Sequence, residues 1–498
     1  MAALQAMLLA GAWDPASQNG EDAAVLVLLG SDLATVGALC QGGTAANVLR
    51  YERRRMFPMG ESGQSWRWVD AKAAWRQLAH TLDAAACDRF AQACQAVLSG
   101  LGSPTLRRGL TFSLALFGNS DGRITVAPAP SIRAARIVEQ ALLAKPEQWK
   151  HLHAVLQLLA EAAPEAFLHC VDQSLAAGDR ETSIWQEAHE AVVCGVARVL
   201  ALLALDVQLL PRVTLLLAKL ANTIPPPTPN IRASHPLHIL EEIFALQWPK
   251  TNATIEERLA ALERLWHAEP QTAWNLFLLL FETGGMVVLN VPRPAVMRIA
   301  VPSQQRGVSS AAVYGQQETL LQWAMALAGN DGDRWVALLR RESDLFEDLF
   351  IVLLRHLQRK GPKHLSNAQA LWEALRASLN QFSPVLQPTE PSQTSSSPRK
   401  RSRRQQQRES LVRSLYQQLT PTSFVEAHAW LFDDRPTMPA RFASFEEHHE
   451  LLRSAQQACI AALGEAPDRW ELLAGLAKRV QDLALFSRLL AQSHWGDE

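Results

Sequence analysis

The spacing of apolar residues follows the period of an α-helix along most of the chain. In the run that starts at Thr254, apolar residues recur every three or four positions, and charged residues occupy the other side. Glu257 follows Thr254 at the spacing of a capping box, so a helix is predicted to begin there. The predicted apolar face consists of Ile255, Leu259, Leu262 and Trp266.

Many further stretches show the same period, whereas strand-like alternation is rare. Its best example is 286–291, and it is weak. The pattern predicts an all-α protein, an extended TPR-like or HEAT-like helical array of α-solenoid type that leaves room for a minor β-hairpin. The stretch 192–217 predicts two buried helices. The other helical runs are 72–98, 131–143, 150–160, 165–175, 319–328, 334–358, 368–379, 410–419, 454–463 and 469–490.

A short phrase recurs in which an aromatic residue follows a proline by three or four positions. Proline is favoured at the first position of a helix, because its missing N–H has no partner there in any case. The aromatic residue then falls one turn into the helix, where it can pack on the preceding helix. Each phrase therefore predicts a helix–turn–helix junction. The pairs are Pro146 with Trp149, Pro164 with Phe167, Pro270 with Trp274, and Pro467 with Trp470.

Two segments interrupt the helical pattern. The first, 223–235, is rich in proline and is predicted to be a surface loop. The second, 387–407, is polar and basic and has no core-forming residues, which predicts a disordered linker or insertion. The predicted organisation is an N-terminal helical segment 1–100, a main helical array 101–386, the linker 387–407 and a C-terminal helical segment 408–498.

The composition bounds the partners and the compartment. The 48 basic and 49 acidic residues give a formal net charge of −1, so no global attraction to nucleic acid or to an anionic membrane is expected. No stretch is uncharged and strongly apolar over the ~20 residues that a membrane helix needs. The N-terminus lacks the basic start of a signal peptide. The six scattered cysteines predict free thiols, so we expect a cytoplasmic protein with no membrane partner.

The common catalytic motifs are absent from the sequence. No GK dipeptide occurs, which excludes a standard phosphate-binding P-loop, and HExxH, GxSxG and GxGxxG are missing as well. The pairs His235 with His238 and His448 with His449 do not supply the three or four convergent ligands of a metal site. We therefore expect no catalytic, cofactor-binding or metal-binding residues and no enzymatic activity.

The densest charge feature lies in the predicted linker. A basic cluster of this kind attracts phosphates or another anionic partner. No aromatic residue is interleaved, so base stacking is not offered, and a solvated linker is the competing interpretation. The cluster consists of Arg399, Lys400, Arg401, Arg403, Arg404 and Arg408.

The stretch 209–281 carries the most specific motif. The phrase LLPRVTLLLAKLA is followed by HPLHILEEIFALQWPKT and then by RLAALERLWHAEPQTAWNLFLLLF. Together with HLHAVLQLLAEAAPEAFL from His151 and HAWLFDDRP from His428, it resembles the long helical region of bacterial AVAST-type antiphage STAND NTPases. The matching residues are Pro164, Phe167, Leu240, Ile243, Phe244, Trp248, Pro249, Thr251, Arg258, Leu262, Leu265, Pro270 and Trp274.

The resemblance implies a sensor function. In that family the helical region recognises a phage protein, and an effector and a STAND NTPase precede it. The resemblance covers the helical region alone, so we expect the sensor portion without the NTPase and effector parts. The motif residues are mostly apolar or turn-forming, which favours a structural role in holding helices together.

Three hypotheses follow. The first is a non-enzymatic protein-recognition module, the sensor portion of an antiphage defence protein. Its partner would be a phage structural or packaging protein, or a separate NTPase or effector chain. The second is a nucleic-acid-associated helical protein that uses the basic run 399–408, with a generic helical scaffold or adaptor as a related alternative. The third is an enzyme of unfamiliar type with a site between helices.

Overall fold

A computed structural model describes residues 1–41, 49–55, 62–120, 122–143, 147–176, 190–223, 235–282, 292–299, 307–381, 403–433, 436, 438–439 and 445–492. About 75% of the described chain is helical, and one small sheet accompanies the helices. These proportions confirm the predicted all-α helical array with a minor β-hairpin.

Contacts divide the chain into two compact units. The first contains Met1–Leu276 and Met286–Val308, and the second contains Phe277–Gly285 and Ser309–Glu498. The two units are defined by contacts between residues, whereas the four predicted segments were defined by composition. The boundaries of the four segments stay predictions.

The helices up to residue 281 pack on one another, and several of the closest pairs, such as Pro104–Gly118 with Leu156–Ala162, are not successive along the chain. Their order is Ala2–Ala10, Glu21–Leu28, Leu33–Gln41, Ala71–Leu78, Ala84–Leu98, Pro104–Gly118, Pro130–Leu143, Gln148–His151, Leu156–Ala162, Pro164–Ala176, Glu190–Leu203, Leu210–Thr223, Pro236–Phe244, Ile255–Ala268 and Pro270–Phe281.

The helices from residue 310 onward lie in the second unit. Their order is Ser310–Ala328, Gly332–Leu339, Glu347–Lys360, Ala368–Gln381, Arg403–Gln418, Phe424–His428, Phe445–Glu465, Arg469–Arg479 and Leu483–Gln492.

Side-chain caps fix several helix starts. Glu257 N donates to Thr254 Oγ1 at 3.3 Å and Thr254 N donates to Glu257 Oε2 at 2.8 Å, so the predicted capping box is present. The predicted run 72–98 is two helices, because Asp83 accepts a hydrogen bond from Ala86 N and begins a new one. The predicted runs 334–358 and 469–490 are likewise each two helices.

The recurring Pro–aromatic phrase predicted a helix start at four positions, and the structure confirms two of them. Pro164 and Pro270 are the first residues of their helices. Pro146 lies outside the described residues. The helix after Pro467 begins two residues later, at Arg469.

The β-hairpin lies near the N-terminus. Strands Leu49–Arg55 and Ser62–Trp68 are antiparallel, and the short strand Ala12–Trp13 pairs with the free side of Ser62–Trp68. The predicted strand 286–291 lies outside the described residues, so the hairpin occurs where the sequence pattern did not place it.

The sheet brings one of its tryptophans, Trp68, to the first helix. Leu49 lies opposite Trp68, and Trp13 lies opposite Trp66. Trp68 is buried, and its Nε1 donates to the Met7 carbonyl at 3.1 Å. The hairpin is therefore tied to the N-terminal helix by a buried hydrogen bond, which is costly to leave unmade.

A buried carboxylate joins two distant parts of the first unit. Glu161 has no exposed surface and accepts hydrogen bonds from the backbone N–H groups of Ala295, Val296 and Met297 at 2.8, 2.5 and 2.9 Å. Gln157 Nε2 adds a fourth at 2.9 Å. Charge-assisted bonds of this kind are the stronger ones, so segment 292–299 is held against the helix that carries Glu161.

Two glycines allow helix Pro104–Gly118 to approach its neighbours closely. A Cβ at Gly109 would overlap the backbone of Ala12, and a Cβ at Gly118 would overlap the carbonyl of Ala162. Larger residues at either position would force the backbones apart.

The C-terminal helices of the second unit close on their own apolar core. Phe432 and Phe486 meet edge to face at 4.8 Å, and Asp482 N donates to the Phe432 carbonyl at 2.9 Å. The buried members of this core are Leu431, Phe432, Met438, Leu452, Cys459, Ile460, Leu463, Leu476, Val480 and Phe486.

One end of the predicted linker is ordered, which corrects that prediction. Residues 403–407 open the helix Arg403–Gln418, and 387–402 lie outside the described residues. Val412 and Leu415 are buried and anchor this helix, and arginine and glutamine are good helix formers, so it extends back into the polar stretch.

Among the described helices, no single one is long and apolar enough to cross a bilayer. The helices Gln18–Leu28 and Leu33–Cys40 meet the length and hydropathy criteria only as a pair, which is bent by 97°.

Candidate functional site

The family-motif residues near the start of a helix form packing contacts. Phe167 is fully buried and meets Trp149 edge to face at 5.9 Å. Trp274 is 5% exposed and lies one turn into the helix that Pro270 begins. The aromatic residue thus packs inside the fold in both phrases, whereas Trp470 is 64% exposed.

The next motif residues lie at the end of helix Pro236–Phe244 and in the segment after it. Ile243 and Phe244 are buried, Pro249 is half-buried and Trp248 is 41% exposed. Thr251 is buried, and its Oγ1 donates to the Ala204 carbonyl at 2.7 Å. This bond satisfies a carbonyl at the end of an earlier helix, which is a structural task.

Arg258 occupies the buried face of helix Ile255–Ala268. That face is centred on Arg258, Leu262 and Leu265, while Leu259 of the predicted face is only half-buried. The Arg258 Nη1 donates to the Ala245 carbonyl at 3.3 Å. Burial lowers the pKa of Arg258 to about 10. The sequence predicted the helix correctly but did not place this cation in its core.

The basic run is only partly described. Arg399, Lys400 and Arg401 lie outside the described residues. Arg403 and Arg404 are exposed at the start of helix Arg403–Gln418, and Arg404 Nη1 lies 2.9 Å from Asp348 Oδ2.

Arg408, the last residue of the run, is bound inside the second unit. Its guanidinium pairs with Glu342 and lies over the Phe350 ring, 5.1 Å from the centroid. Ser378 Oγ also donates to Glu342, at 2.5 Å. The charge of Arg408 is therefore matched by a buried carboxylate of the same unit.

The best candidate site is a group of four residues, which we call the Arg376 cluster: Trp372, Arg376, Tyr416 and Trp430. The Arg376 guanidinium carbon lies over the Trp430 ring at 4.2 Å and over the Trp372 ring at 5.4 Å. Tyr416 stacks on Trp372 with ring centroids 5.2 Å apart and planes 13° from parallel. Cation–π contacts of this geometry orient a guanidinium without neutralising it.

Three elements position these side chains. Trp372 and Arg376 are four residues apart on helix Ala368–Gln381 and so share one face. Tyr416 comes from helix Arg403–Gln418. Trp430 lies on the 3-10 turn Ala429–Phe432, whose Leu431 and Phe432 are buried in the C-terminal core.

The orientation of Trp430 is fixed by its own hydrogen bond. Its Nε1 donates to the Ala427 carbonyl at 2.8 Å. The ring therefore cannot rotate freely, and Arg376 lies against a preformed aromatic surface.

Arg376 has no hydrogen-bond partner at two of its nitrogens. The residue is 7% exposed, and its Nε and Nη1 are buried and unpartnered within the part of the chain that the structure describes. Trp372 Nε1 and Gln369 Oε1 are also buried without a partner. Buried polar groups are nearly always paired in proteins, so this group calls for an explanation.

Burial and charge act on the titration of the cluster in opposite directions. Burial lowers the pKa of Arg376, while Glu373, Tyr416 and Asp433 raise it. Burial raises the pKa of Tyr416, and the positive charge of Arg376 lowers it. Glu373 and Asp433 thus act on the Arg376 cation through their charge.

Sequence reasoning did not single out Arg376. Its helix was predicted as 368–379, and Trp430 belongs to the quoted phrase from His428, but no charge run or motif marks the arginine. The usable signal was an arginine four residues after a tryptophan on the apolar face of an amphipathic helix.

The first histidine pair, His235 and His238, has ordinary structural partners. His235 Nδ1 accepts a hydrogen bond from Leu237 N at 3.2 Å, and His238 Nδ1 lies 2.7 Å from Glu241 Oε2. Among the described residues, no group of three or more His, Cys, Asp or Glu side chains is placed to hold a metal ion.

Comparisons with family models, with curated proteins and with solved structures find no match for this chain.

Proposed function

We propose that this chain is a non-enzymatic protein-recognition module, the sensor portion of an antiphage defence protein. Its partner is a phage structural or packaging protein. The resemblance of stretch 209–281 to the helical region of AVAST-type proteins supports the defence context. An array of helix pairs offers the area of about 800 Å² per partner that protein recognition needs.

The observation that carries the recognition part is the Arg376 cluster. Tryptophan, tyrosine and arginine are the residue types most enriched at the energetic centres of protein interfaces. The cluster combines all three, and both Tyr416 and Trp430 are half-buried, so each also presents surface. The half-buried rings of Tyr416 and Trp430 beside a buried cation suit contact with a folded protein better than contact with a nucleic-acid backbone.

The rival nucleic-acid function uses the basic run. Two of its described cations, Arg404 and Arg408, already face carboxylates of the same unit. Pairing with a carboxylate reduces the net positive charge that a phosphate backbone would meet. The capture experiment distinguishes the two functions.

The test is capture from phage-infected lysate with the full chain, followed by reconstitution with the purified partner. A variant with neutral residues at 399, 400, 401, 403 and 404 serves as the comparison, and Arg408 stays in place because it pairs with Glu342. We expect a virion or packaging protein to be retained equally by both chains.

Two results would contradict the proposal. One is recovery of nucleic acid alone, lost from the neutral variant and falling steeply with salt. The other is the absence of any phage protein that binds the purified chain in reconstitution.

A further inference from the structure

A strongly basic surface lies where helix Glu347–Lys360 ends. Two of its cations are one turn apart on the outer face of the helix, a third ends the helix, and the fourth follows in the 3-10 turn Pro362–His364. All four side chains are exposed. The sequence has no Asp or Glu from residue 349 to residue 372, so no acid interrupts this stretch. We call the surface the helix-end patch: Arg355, Arg359, Lys360 and Lys363.

The charge of the helix-end patch is not compensated inside the described part of the chain. There, none of its four side chains forms an ion pair or a hydrogen bond. The titration of His356, on the same helix, reflects this charge. Burial lowers the pKa of His356, and the charges of Arg359 and Lys360 lower it further. The potential at this end of the helix is therefore positive.

The acids of the neighbouring elements have partners of their own. Glu347 begins the same helix and lies about 12 Å along its axis from Arg355, which exceeds the screening length of about 8 Å at physiological salt. The acids of the adjoining turns and helices accept from cations or amides of the same unit, so they oppose an approaching anion less than free carboxylates would. These pairs are Asp348 with Arg404, Asp331 with Arg334, Asp333 with Asn367, Glu373 with Gln369, and Glu409 with Arg413.

Helix stability accounts for only half of the patch. Cations in the last turn of a helix are favoured by the partial negative charge of its C-terminal end, and Arg359 and Lys360 lie in that turn. The effect falls off within the same turn. Arg355 precedes the turn and Lys363 lies beyond the helix, so the helix end does not explain either of them. An anionic ligand explains all four.

The make-up of the patch favours a nucleic-acid duplex over an acidic protein. Protein interfaces are depleted in lysine and centre on aromatic anchors, whereas contacts to phosphates come largely from arginine and lysine. Within helix Glu347–Lys360, all of which is described, Val352 is the only exposed large apolar residue. The described residues 347–366 carry no exposed Phe, Tyr or Trp, so a single strand is offered no surface on which its bases could stack.

We propose that the helix-end patch binds the phosphate backbone of a nucleic-acid duplex without sequence preference. Arg355 and Arg359 contact phosphates from the outer face of the helix, and Lys360 and Lys363 contact them from its end. Contacts to phosphates carry no sequence information, and DNA and RNA duplexes share them. This ligand is additional to the protein partner proposed above, and the patch is separate from the basic run 399–408.

The test measures the fluorescence anisotropy of a short labelled DNA duplex with the full chain. Residues 399, 400, 401, 403 and 404 are neutral in every protein used, so the basic run cannot supply the binding. We expect a dissociation constant of about 1–100 µM at physiological salt, the range of non-specific binding. A second DNA duplex of unrelated sequence should bind within about twofold, and an RNA duplex of the same length shows which of the two sources binds more tightly.

The double variant Arg355→Gln/Arg359→Gln removes two of the four cations. The logarithm of the dissociation constant rises with the logarithm of the salt concentration, with a slope of about 0.9 for each neutralised phosphate. We therefore expect a slope of about 3.6 before the change and about 1.8 after it. The affinity at low salt should fall by about tenfold.

The matched control is Arg212→Gln/Lys219→Gln, which removes the same charge from the first unit. Both residues are exposed enough to be replaced, but Arg212 pairs with Glu165 at 2.6 Å and Lys219 pairs with Asp172 at 2.8 Å. The salt slope should stay unchanged in the control, and the affinity should stay within about twofold.

Circular dichroism of each variant separates a lost site from a lost fold. Glutamine is nearly as good a helix former as arginine, so the exposed positions 355 and 359 should tolerate it. If that double variant unfolds, Lys360→Gln/Lys363→Gln replaces it, with the same expected slope of about 1.8. Unlabelled polyglutamate serves as the competitor that represents an acidic protein. A duplex carries one charge per about 1.7 Å and an extended polyglutamate one per about 3.3 Å, so the duplex should compete better at equal total charge.

Three outcomes would overturn the inference. The first is no binding of either duplex once the basic run is neutral, which would assign any binding by the unchanged chain to that run. The second is an equal salt slope in the folded double variant and in the control. The third is equal competition by polyglutamate, which would favour an acidic protein as the ligand. These measurements need no phage protein, so they fail independently of the capture experiment.

Discussion

Arg376 and Arg408 are both largely buried arginines of the second unit that lie over aromatic rings, yet their surroundings differ. Arg408 has the Phe350 ring beneath it and the buried Glu342 carboxylate beside it. Arg376 lies against two tryptophan rings and, within the described residues, forms no ion pair with a carboxylate. Arg408 forms an ion pair with Glu342, whereas Arg376 has two buried nitrogens without a hydrogen-bond partner within the described residues. Arg408 was a candidate binding residue in the sequence because it belongs to a dense basic run. Arg376 is a candidate in the structure because two of its nitrogens are buried without a hydrogen-bond partner within the described residues.

The largest expected difference is in stability. Arg408→Met leaves the Glu342 carboxylate buried without its cation and should lower the free energy of unfolding by about 4 kcal/mol. Arg376→Met removes a guanidinium with unsatisfied nitrogens and should change it by no more than about 1 kcal/mol. Urea denaturation of both variants measures the two values. Equal losses would show that the two arginines have the same structural role.

The second difference concerns the acids near each arginine. Glu342→Gln should cost about 3 kcal/mol, because Arg408 then remains buried beside a neutral group. Glu373→Gln should change stability by less than about 0.5 kcal/mol, since Glu373 is exposed and does not pair with Arg376. A large loss for Glu373→Gln in the same denaturation experiment would mean that Glu373 balances Arg376 after all.

The third comparison stays within the basic run. Arg404 and Asp348 are both exposed, so Arg404→Gln should cost less than about 0.5 kcal/mol. The same substitution at Arg408, four residues later, should lower the free energy of unfolding several times more. If the Arg404 and Arg408 variants unfold at the same temperature, the assignment of Arg408 to the interior is wrong.

The smallest effect is a shift in one titration. The charge of Arg376 lowers the pKa of Tyr416, so Arg376→Gln should move tyrosinate formation to higher pH. Ultraviolet absorbance measures it, with Tyr416→Phe to identify the signal. Because burial raises the folded pKa of Tyr416, its protonated form stabilises the fold below the ordinary tyrosine pKa of about 10, and this contribution is lost as pH rises above it. An unchanged titration in Arg376→Gln would show that the charge of Arg376 does not act on the Tyr416 hydroxyl.

The helical content of the fold was predictable because it depends on local signals. Thr254 and Glu257 satisfy each other within one turn, and Pro164 begins its helix by its own missing N–H. The position of the hairpin escaped prediction because its strands, Leu49–Arg55 and Ser62–Trp68, carry few apolar residues. The third strand, Ala12–Trp13, pairs with Ser62–Trp68 about fifty residues later, which periodicity does not report. The sequence pattern also predicted single long helices where the structure has two, because a cap such as Asp83 begins a second helix.

The site was less predictable than the fold, and the reason is physical. The environment of Arg376 depends on Tyr416 and Trp430, which come from two other elements. An arginine within an amphipathic helix reads as a polar position until the neighbours that bury it are known. Arg258 was named as a motif residue, but periodicity did not place it on the buried face of its helix.

The Glu161 carboxylate has a consequence for synthesis on the ribosome. The backbone groups that it binds belong to Ala295, Val296 and Met297, which emerge more than 130 residues after it. Until then the nascent first unit carries an acid whose intended donors have not yet been translated. A ribosome that pauses before residue 295 therefore holds this unit unfinished, although nearly all its helices are already outside the exit tunnel.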